Sequence, residues 1–226
     1  MSDKVSIAID GPAGAGKSTI AKKIAKELDY LYIDTGAIYR TMGYYFLENG
    51  IDVNDEEIVS EMCSKIEVGL KYIDGVQHVF LNGEDVSDKI RTGEVGSAAS
   101  KISAYSEVRA SLLGLQKNMS ETENVVMDGR DIGSVVLPNA TLKIYLTASV
   151  EERARRRYLE YVLAGQECDL EKIKKEIEER DHRDMTREIS PLICAEDAYT
   201  VDSSEMSIDE VCGEIMKLLN QKVNLK

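Results

Sequence analysis

Near the start of the chain, Gly11, Gly16, Lys17 and Ser18 stand at the spacing G-x-x-x-x-G-K-[ST], the pattern of a loop built to hold phosphate. The residue types follow from the task. A loop that wraps an anion turns its backbone N–H groups inward, and glycine tolerates the dihedrals this needs. Lysine brings a point charge to the outer phosphates of a nucleotide, and the Ser18 hydroxyl is a ligand for Mg2+. A helix beginning near Lys17 would aim the positive end of its dipole at the same anion. The segment Gly11, Pro12, Ala13, Gly14, Ala15, Gly16, Lys17, Ser18 and Thr19 is therefore a candidate nucleotide-phosphate loop.

Two more clusters share its logic. The apolar run Tyr30–Ile33 ends in Asp34 and leads into Thr35, Gly36, Tyr39 and Arg40. A second run, Val125–Met127, ends in Asp128 and is followed by Gly129, Arg130 and Asp131. Open α/β sheets place ligands at the C-terminal ends of their strands, and a strand-end carboxylate such as Asp128 can support Mg2+ or its water shell. Arginines recur at Arg153, Arg155, Arg156 and Arg157, and again at Arg180, Arg183 and Arg187 beside Asp181 and Asp184. For the first group, a salt-bridged exposed helix and a mobile cationic flap are both open readings.

The elements that must position these residues are legible from periodicity. Five apolar strand runs, near residues 5–9, 30–34, 125–128, 142–146 and 198–202, alternate with helical segments. This predicts a three-layer αβα fold around a five-stranded parallel sheet. Ile20, Ile24 and Leu28 give the first helix an apolar face. Asn54 with Glu57, Ser149 with Glu152 and Ser207 with Glu210 have capping-box spacing. Between residues 66 and 90, alternating apolar residues around Asp74-Gly75 and Asn82-Gly83 predict an inserted hairpin or small antiparallel sheet. Residues 90–120 read as helix, broken near Ala104–Ser106, with Ser100 and Arg109 as its notable polar groups.

The 226 residues carry 28 basic and 41 acidic side chains, a net charge of −13. So acidic a chain is a poor partner for nucleic acid or an anionic membrane, so phosphate must be held by local cations. Cys63, Cys168, Cys194 and Cys212 are scattered without a C-x-x-C pair, which argues against a zinc or redox site and for a cytoplasmic setting. No apolar run is long enough to cross a membrane as a helix. With no long apolar surface stripe, a monomer is expected. With His78 and His182 as its only histidines, the chain offers no histidine–nucleophile set.

Cations in separate segments suit a protein that brings two anionic ligands together better than one that hydrolyses a single triphosphate. If the acceptor is itself a phosphate, its oxygen is already ionised and no general base is required, so positioning and charge neutralisation would carry the rate.

The blocks GPAGAGKST, IDTGAIYR, MDGRDIG and ERDHRD, in that order and with the hairpin insert, resemble the bacterial cytidylate kinases from about residue 5 to the C-terminal helix. The resemblance implies a P-loop nucleoside monophosphate kinase. It would have a single kinase domain over 1–226, an acceptor-binding subdomain near 35–110 with its insert at 66–90, and a short lid near 153–168. The reaction would be phosphoryl transfer from ATP, with Mg2+, to CMP or dCMP. Gly11–Thr19 would bind ATP, and Ser18 is the metal candidate. Thr35, Gly36, Tyr39, Arg40, Asp128, Gly129, Arg130, Asp184 and Arg187 would hold the acceptor's phosphate and sugar, and Ser100, Arg109 and Asp131 its cytosine. Lys17, Arg130, Arg157, Arg180 and Arg187 would act on the transferring group, and Arg153 stands beside them on the flap. The chemistry of cytosine agrees: its exocyclic amine would donate to Asp131, where uracil would present a carbonyl. Some relatives carry glycine where Ser18 stands. Another small-molecule kinase, a GTPase-type switch and an inactive scaffold are the rival readings, although the switch's N-K-x-D motif does not occur.

Overall fold

Apolar runs flanked on both faces by helices have only one stable home, the middle layer of a sandwich. The computed structural model, which describes residues 4–223, forms that layer. In chain order, β1 (Ser6–Asp10) leads through the phosphate loop to α1 (Lys17–Leu28), and β2 (Leu31–Asp34) to α2 (Thr35–Glu48). Then come α3 (Glu56–Cys63), β3 (Val68–Ile73), β4 (Val76–Leu81), β5 (Glu84–Asp85), a 3-10 turn (Lys89–Arg91), α4 (Gly93–Ile102) and α5 (Ser106–Thr122). The chain closes with β6 (Val125–Gly129), a π-turn (Ile132–Val136), β7 (Leu142–Thr147), α6 (Val150–Leu163), α7 (Leu170–Thr186), β8 (Tyr199–Asp202) and α8 (Ile208–Val223).

Five strands form one sheet in the order β2-β6-β1-β7-β8. The pairs β1–β6, β1–β7 and β7–β8 run parallel, as expected. Ile7, Ala8 and Ile9 at the centre are wholly buried. The register sets Ile9 opposite Asp128 and Asp10 opposite Gly129, so both strand-end motifs finish at one edge. The expected insert is an antiparallel sheet, β3-β4-β5.

The chain divides into two compact units, Met1–Leu31 with Asn124–Lys226, and Tyr32–Glu123. The second has its own core, with Ile38, Met42 and Phe46 of α2 packed with Val59, Ile102, Val108 and Leu112. Its insert is tied to the chain leaving β2 by side chains. The Tyr72 hydroxyl donates to the Tyr32 carbonyl at 2.7 Å, and the Gln77 carboxamide accepts from Asp34 N–H at 2.8 Å. The Gln77 amide also donates back to the Asp34 carbonyl at 3.3 Å.

Two capping expectations are corrected. The helix after Asn54 begins at Glu56 and is capped by Asp55, whose side chain accepts from Ile58 N–H. Asn54 is instead folded onto Asp52 by two bonds to the same carboxylate oxygen, at 2.6 and 2.9 Å. At α6 only half of the box closes. Ser149 accepts from Glu152 N–H, but the Glu152 carboxylate turns away to Arg155 and Arg156. The Ser207–Glu210 box closes in both directions.

Candidate active site

In the first unit the phosphate loop is braced through its carbonyls. Pro12 O accepts from Lys17 Nζ at 2.7 Å, Ala13 O from Arg153 Nη1 at 3.1 Å, and Ala15 O from the Ser203 hydroxyl at 3.3 Å. With these carbonyls engaged by the protein, the loop is held open for an anion on its N–H side. Gly11 has φ 148 and lies so close to β7 that a Cβ there would run into the Leu146 carbonyl. The turn into α1 passes through Gly16 at φ 88, a left-handed N-cap without a side-chain cap. The first N–H groups of the helix are thereby left to a ligand.

Lys17 is buried. Burial, then the nearby Arg130 charge, pushes its pKa well below the ordinary lysine value, with Arg180 acting the same way and Asp128 and Asp10 opposing. An arriving phosphate would reverse that balance. The Ser18 hydroxyl donates to Asp128 Oδ2 at 2.9 Å. One hydroxyl and one carboxylate, both hard oxygen donors, fit Mg2+, which takes few protein ligands and completes its shell with water and substrate phosphates. Among the described residues no cluster of three or more His, Cys, Asp or Glu forms a protein-only metal cage.

Around this centre cations alternate with carboxylates. Arg130 Nε donates to Asp184 Oδ2 at 2.8 Å, a pair that is nearly buried. Burial raises the Asp184 carboxyl, but the Arg130 charge and hydrogen bond, with Arg180 and Arg187, outweigh it and hold the pKa below the ordinary value. Arg187 donates from Nε to Ser190 O at 2.6 Å and has Nη2 3.8 Å from Asp131. Lys17, Asp128, Arg130, Asp131, Arg180, Asp184 and Arg187 are thus brought together in the first unit.

The four arginines of α6 are divided by their surroundings. Arg153 is buried and fixed, with Nε to Ala148 O at 2.9 Å and Nη2 to Asp181 at 2.6 Å, and it clamps the phosphate loop from below. Arg155 and Arg156 pair with Glu152, and Arg156 also reaches Ser203. Arg157 leans on Tyr161, with Nε 2.9 Å from the hydroxyl and the guanidinium carbon 5.5 Å from the ring centre. Arg155 and Arg156 thus follow the salt-bridged reading of this helix.

Asp10 is a site residue that the sequence did not single out. At the end of β1, its two oxygens accept Ile132 N–H and Gly133 N–H, each at 2.7 Å. The bonds pin the π-turn that follows Arg130 and Asp131, and no short motif could reveal a contact across 122 and 123 residues. Burial raises its carboxyl from 3.8 to about 6, against the two backbone hydrogen bonds, with Asp131 adding to the rise. Between those pH values the folded chain keeps a proton that the unfolded chain has released. Stability contributed by this group therefore falls as pH rises through the window and is level above it. Thermal melts from pH 4 to 7 should show a fall in the wild type that Asp10→Asn lacks; parallel curves would refute the assignment.

The second unit carries the remaining candidates. Asp34 caps α2, accepting Ala37 N–H at 2.9 Å, and Arg40 lies 3.7 Å from its other oxygen. Thr35 and Gly36 occupy the first turn of α2. Arg109 is buried, donates to Ser103 O at 3.0 Å and lies over the Tyr39 ring at 5.6 Å. The Ser100 hydroxyl is buried with no hydrogen-bond partner among the described residues, a state that costs about 1–3 kcal/mol unless a ligand relieves it. Arg91, 3.9 Å from Asp34, is a further residue that sequence reasoning missed.

A family model described as Cytidylate kinase matches residues 7–221. A cytidylate kinase of Pediococcus pentosaceus is 51% identical over 219 residues, 97% of each chain. One of Caldicellulosiruptor bescii is 49% identical over 220 residues, again 97% of each. Among solved structures, a gluconokinase from Sinorhizobium meliloti superposes with a TM-score of 0.50 at 14% identity, covering 97% of this chain and 93% of its own. That likeness is one of fold alone.

Proposed function

Because the chain belongs to the cytidylate kinase family, we propose that it transfers the γ-phosphoryl group of ATP to CMP or dCMP, giving ADP and CDP or dCDP. The observation that carries this is the gathering of Lys17, Arg130, Arg180 and Arg187 around Asp128, Asp131 and Asp184 behind a braced phosphate loop. Such a set offers several positive charges to phosphate while Asp184 keeps Arg130 oriented.

The roles divide as follows. Residues 11–19 bind the ATP phosphates, with Lys17 on the outer ones. Ser18 and Asp128 would hold Mg2+, which when bound neutralises charge on the transferring phosphate and orients it. Arg40 and Arg130 hold the acceptor phosphate, with Thr35, Gly36, Tyr39 and Gly129 lining its place. Asp184 and Arg187 hold the sugar and the transferring group, and Arg157 and Arg180 stabilise charge spread over the equatorial oxygens. Ser100 and Arg109 donate to the cytosine, and Asp131 accepts from its amine. The acceptor oxygen is already ionised, so these residues need to align and desolvate it, not deprotonate it. We read residues 35–110 as the acceptor-binding subdomain with its insert at 66–90, and 153–168 as a lid with Arg153 as its fixed root. Among the described residues no helix is long and apolar enough to cross a membrane, and we place the protein in the cytoplasm as a monomer that binds neither nucleic acid nor membrane.

A coupled assay of ADP formation across CMP, dCMP, UMP, AMP and GMP tests the reading. CMP and dCMP should exceed the others in kcat/KM by tenfold or more, since a carbonyl facing Asp131 leaves both acceptors unpaired. Equal rates with UMP and AMP would overturn the cytidine assignment.

A further inference from the structure

We propose that Arg91 acts with Arg40 as a second guanidinium for the phosphate of the monophosphate acceptor; this rests on the function proposed above. The two arginines come from different elements, Arg40 from α2 and Arg91 from the 3-10 turn before α4, yet both point at one oxygen. Arg40 Nη1 is 3.7 Å and Arg91 Nη1 is 3.9 Å from Asp34 Oδ2. These distances are too long for hydrogen bonds. Asp34 therefore offsets charge at this corner without engaging the donors of either arginine.

The corner is built to stay in that condition. Asp34 spends its other oxygen on capping α2, and its backbone N–H and carbonyl are both held by Gln77 of the insert. A Cβ on Gly36 would lie 3.1 Å from Asp34 Oδ1 and 3.6 Å from Arg40 Nη2, so glycine keeps the space open. Lys89, on the same turn as Arg91, is engaged elsewhere, 2.6 Å from Glu84 and over the Tyr44 ring. Arg91 has more than half of its side chain exposed, so its guanidinium is available.

The charge count selects the ligand. Two guanidinium groups against one carboxylate leave one net positive charge beside the N-terminus of α2. A phosphate monoester carries about −1.5 to −2 at neutral pH, with three strong acceptor oxygens. It can take planar donors from both arginines at once, which a nucleoside without phosphate cannot.

The test compares Arg91→Ala and Arg91→Lys with wild type in the full-length protein. It uses KM for CMP, KM for ATP, and binding of CMP and of cytidine by calorimetry. Arg91→Ala should raise KM for CMP at least tenfold while leaving KM for ATP and cytidine affinity within twofold. Arg91→Lys should recover part of the loss, because lysine restores charge but not the fork. An unchanged KM for CMP, or equal weakening of CMP and cytidine, would overturn the proposal. Should Arg91→Ala not fold, Arg91→Gln keeps the stem and is read by the same ratios. If wild type prefers another monophosphate, the cytidine reading fails alone, and Arg91 is judged with that monophosphate and its nucleoside.

Discussion

Lys17→Met should lower kcat/KM for CMP phosphorylation by about 10³-fold, roughly 4 kcal/mol of transition-state stabilisation, while leaving the fold at least as stable. The first half follows from geometry. Lys17 sits at the start of α1 with its ammonium turned back onto Pro12 O, within the loop that would wrap the donor phosphates. Methionine keeps the apolar stem and removes the charge. The second half follows from electrostatics. Burial and the Arg130 charge depress the Lys17 pKa, so the charged form of this side chain is disfavoured in the folded chain relative to the unfolded one. Removing the charge removes that cost, which offsets the lost hydrogen bond of about 1 kcal/mol. Steady-state kinetics with a melting curve check both halves. Activity within tenfold of wild type would end the assignment of Lys17 to the phosphoryl group. A large drop in melting temperature would show instead a structural lysine.

Arg130→Ala should fail in two separable ways. It leaves the Asp184 carboxylate, almost fully buried, without the partner at 2.8 Å. Breaking such a pair from one side costs about 3 kcal/mol. It also removes a guanidinium from the acceptor phosphate, expected to cost about 10²-fold or more in kcat/KM. The double variant Arg130→Ala with Asp184→Asn, its activity read against Asp184→Asn alone, separates the two, because the amide needs no counter-charge. Most of the lost thermal stability should return in the double variant, whereas activity should not. Recovery of both together would mean that Arg130 matters only as the partner of Asp184. The pairing also predicts acid sensitivity. A carboxyl held below its ordinary value stabilises the fold at neutral pH, and this contribution is lost as pH falls through that lowered pKa.

The phosphate loop, the five sheet strands, the insert and the strand-end residues Asp34 and Asp128 were legible because each is written locally. A glycine spacing, a run of apolar residues or a carboxylate just after a strand constrains the backbone within a few residues. Capping was legible only in part. Asp55, not Asn54, begins α3, because Asn54 finds Asp52 two residues back. Helical spacing marks a boundary but does not say which of two adjacent polar side chains will turn inward.

The amino-acid sequence by itself determined the fold class and the presence of a phosphate loop followed by a Mg2+-compatible carboxylate. Through the order of its motifs it also determined the family. Only the tertiary structure decided what each arginine touches. Arg153 and Arg157 are the same residue type four positions apart, yet one is buried under the loop carbonyls and the other rests on Tyr161. Asp10 gained its grip on the turn after Arg130, and Arg91 its place beside Asp34, from packing between distant segments. A charged side chain is flexible and long, so its partner is set by which neighbours the core brings within reach, and local spacing carries no record of that.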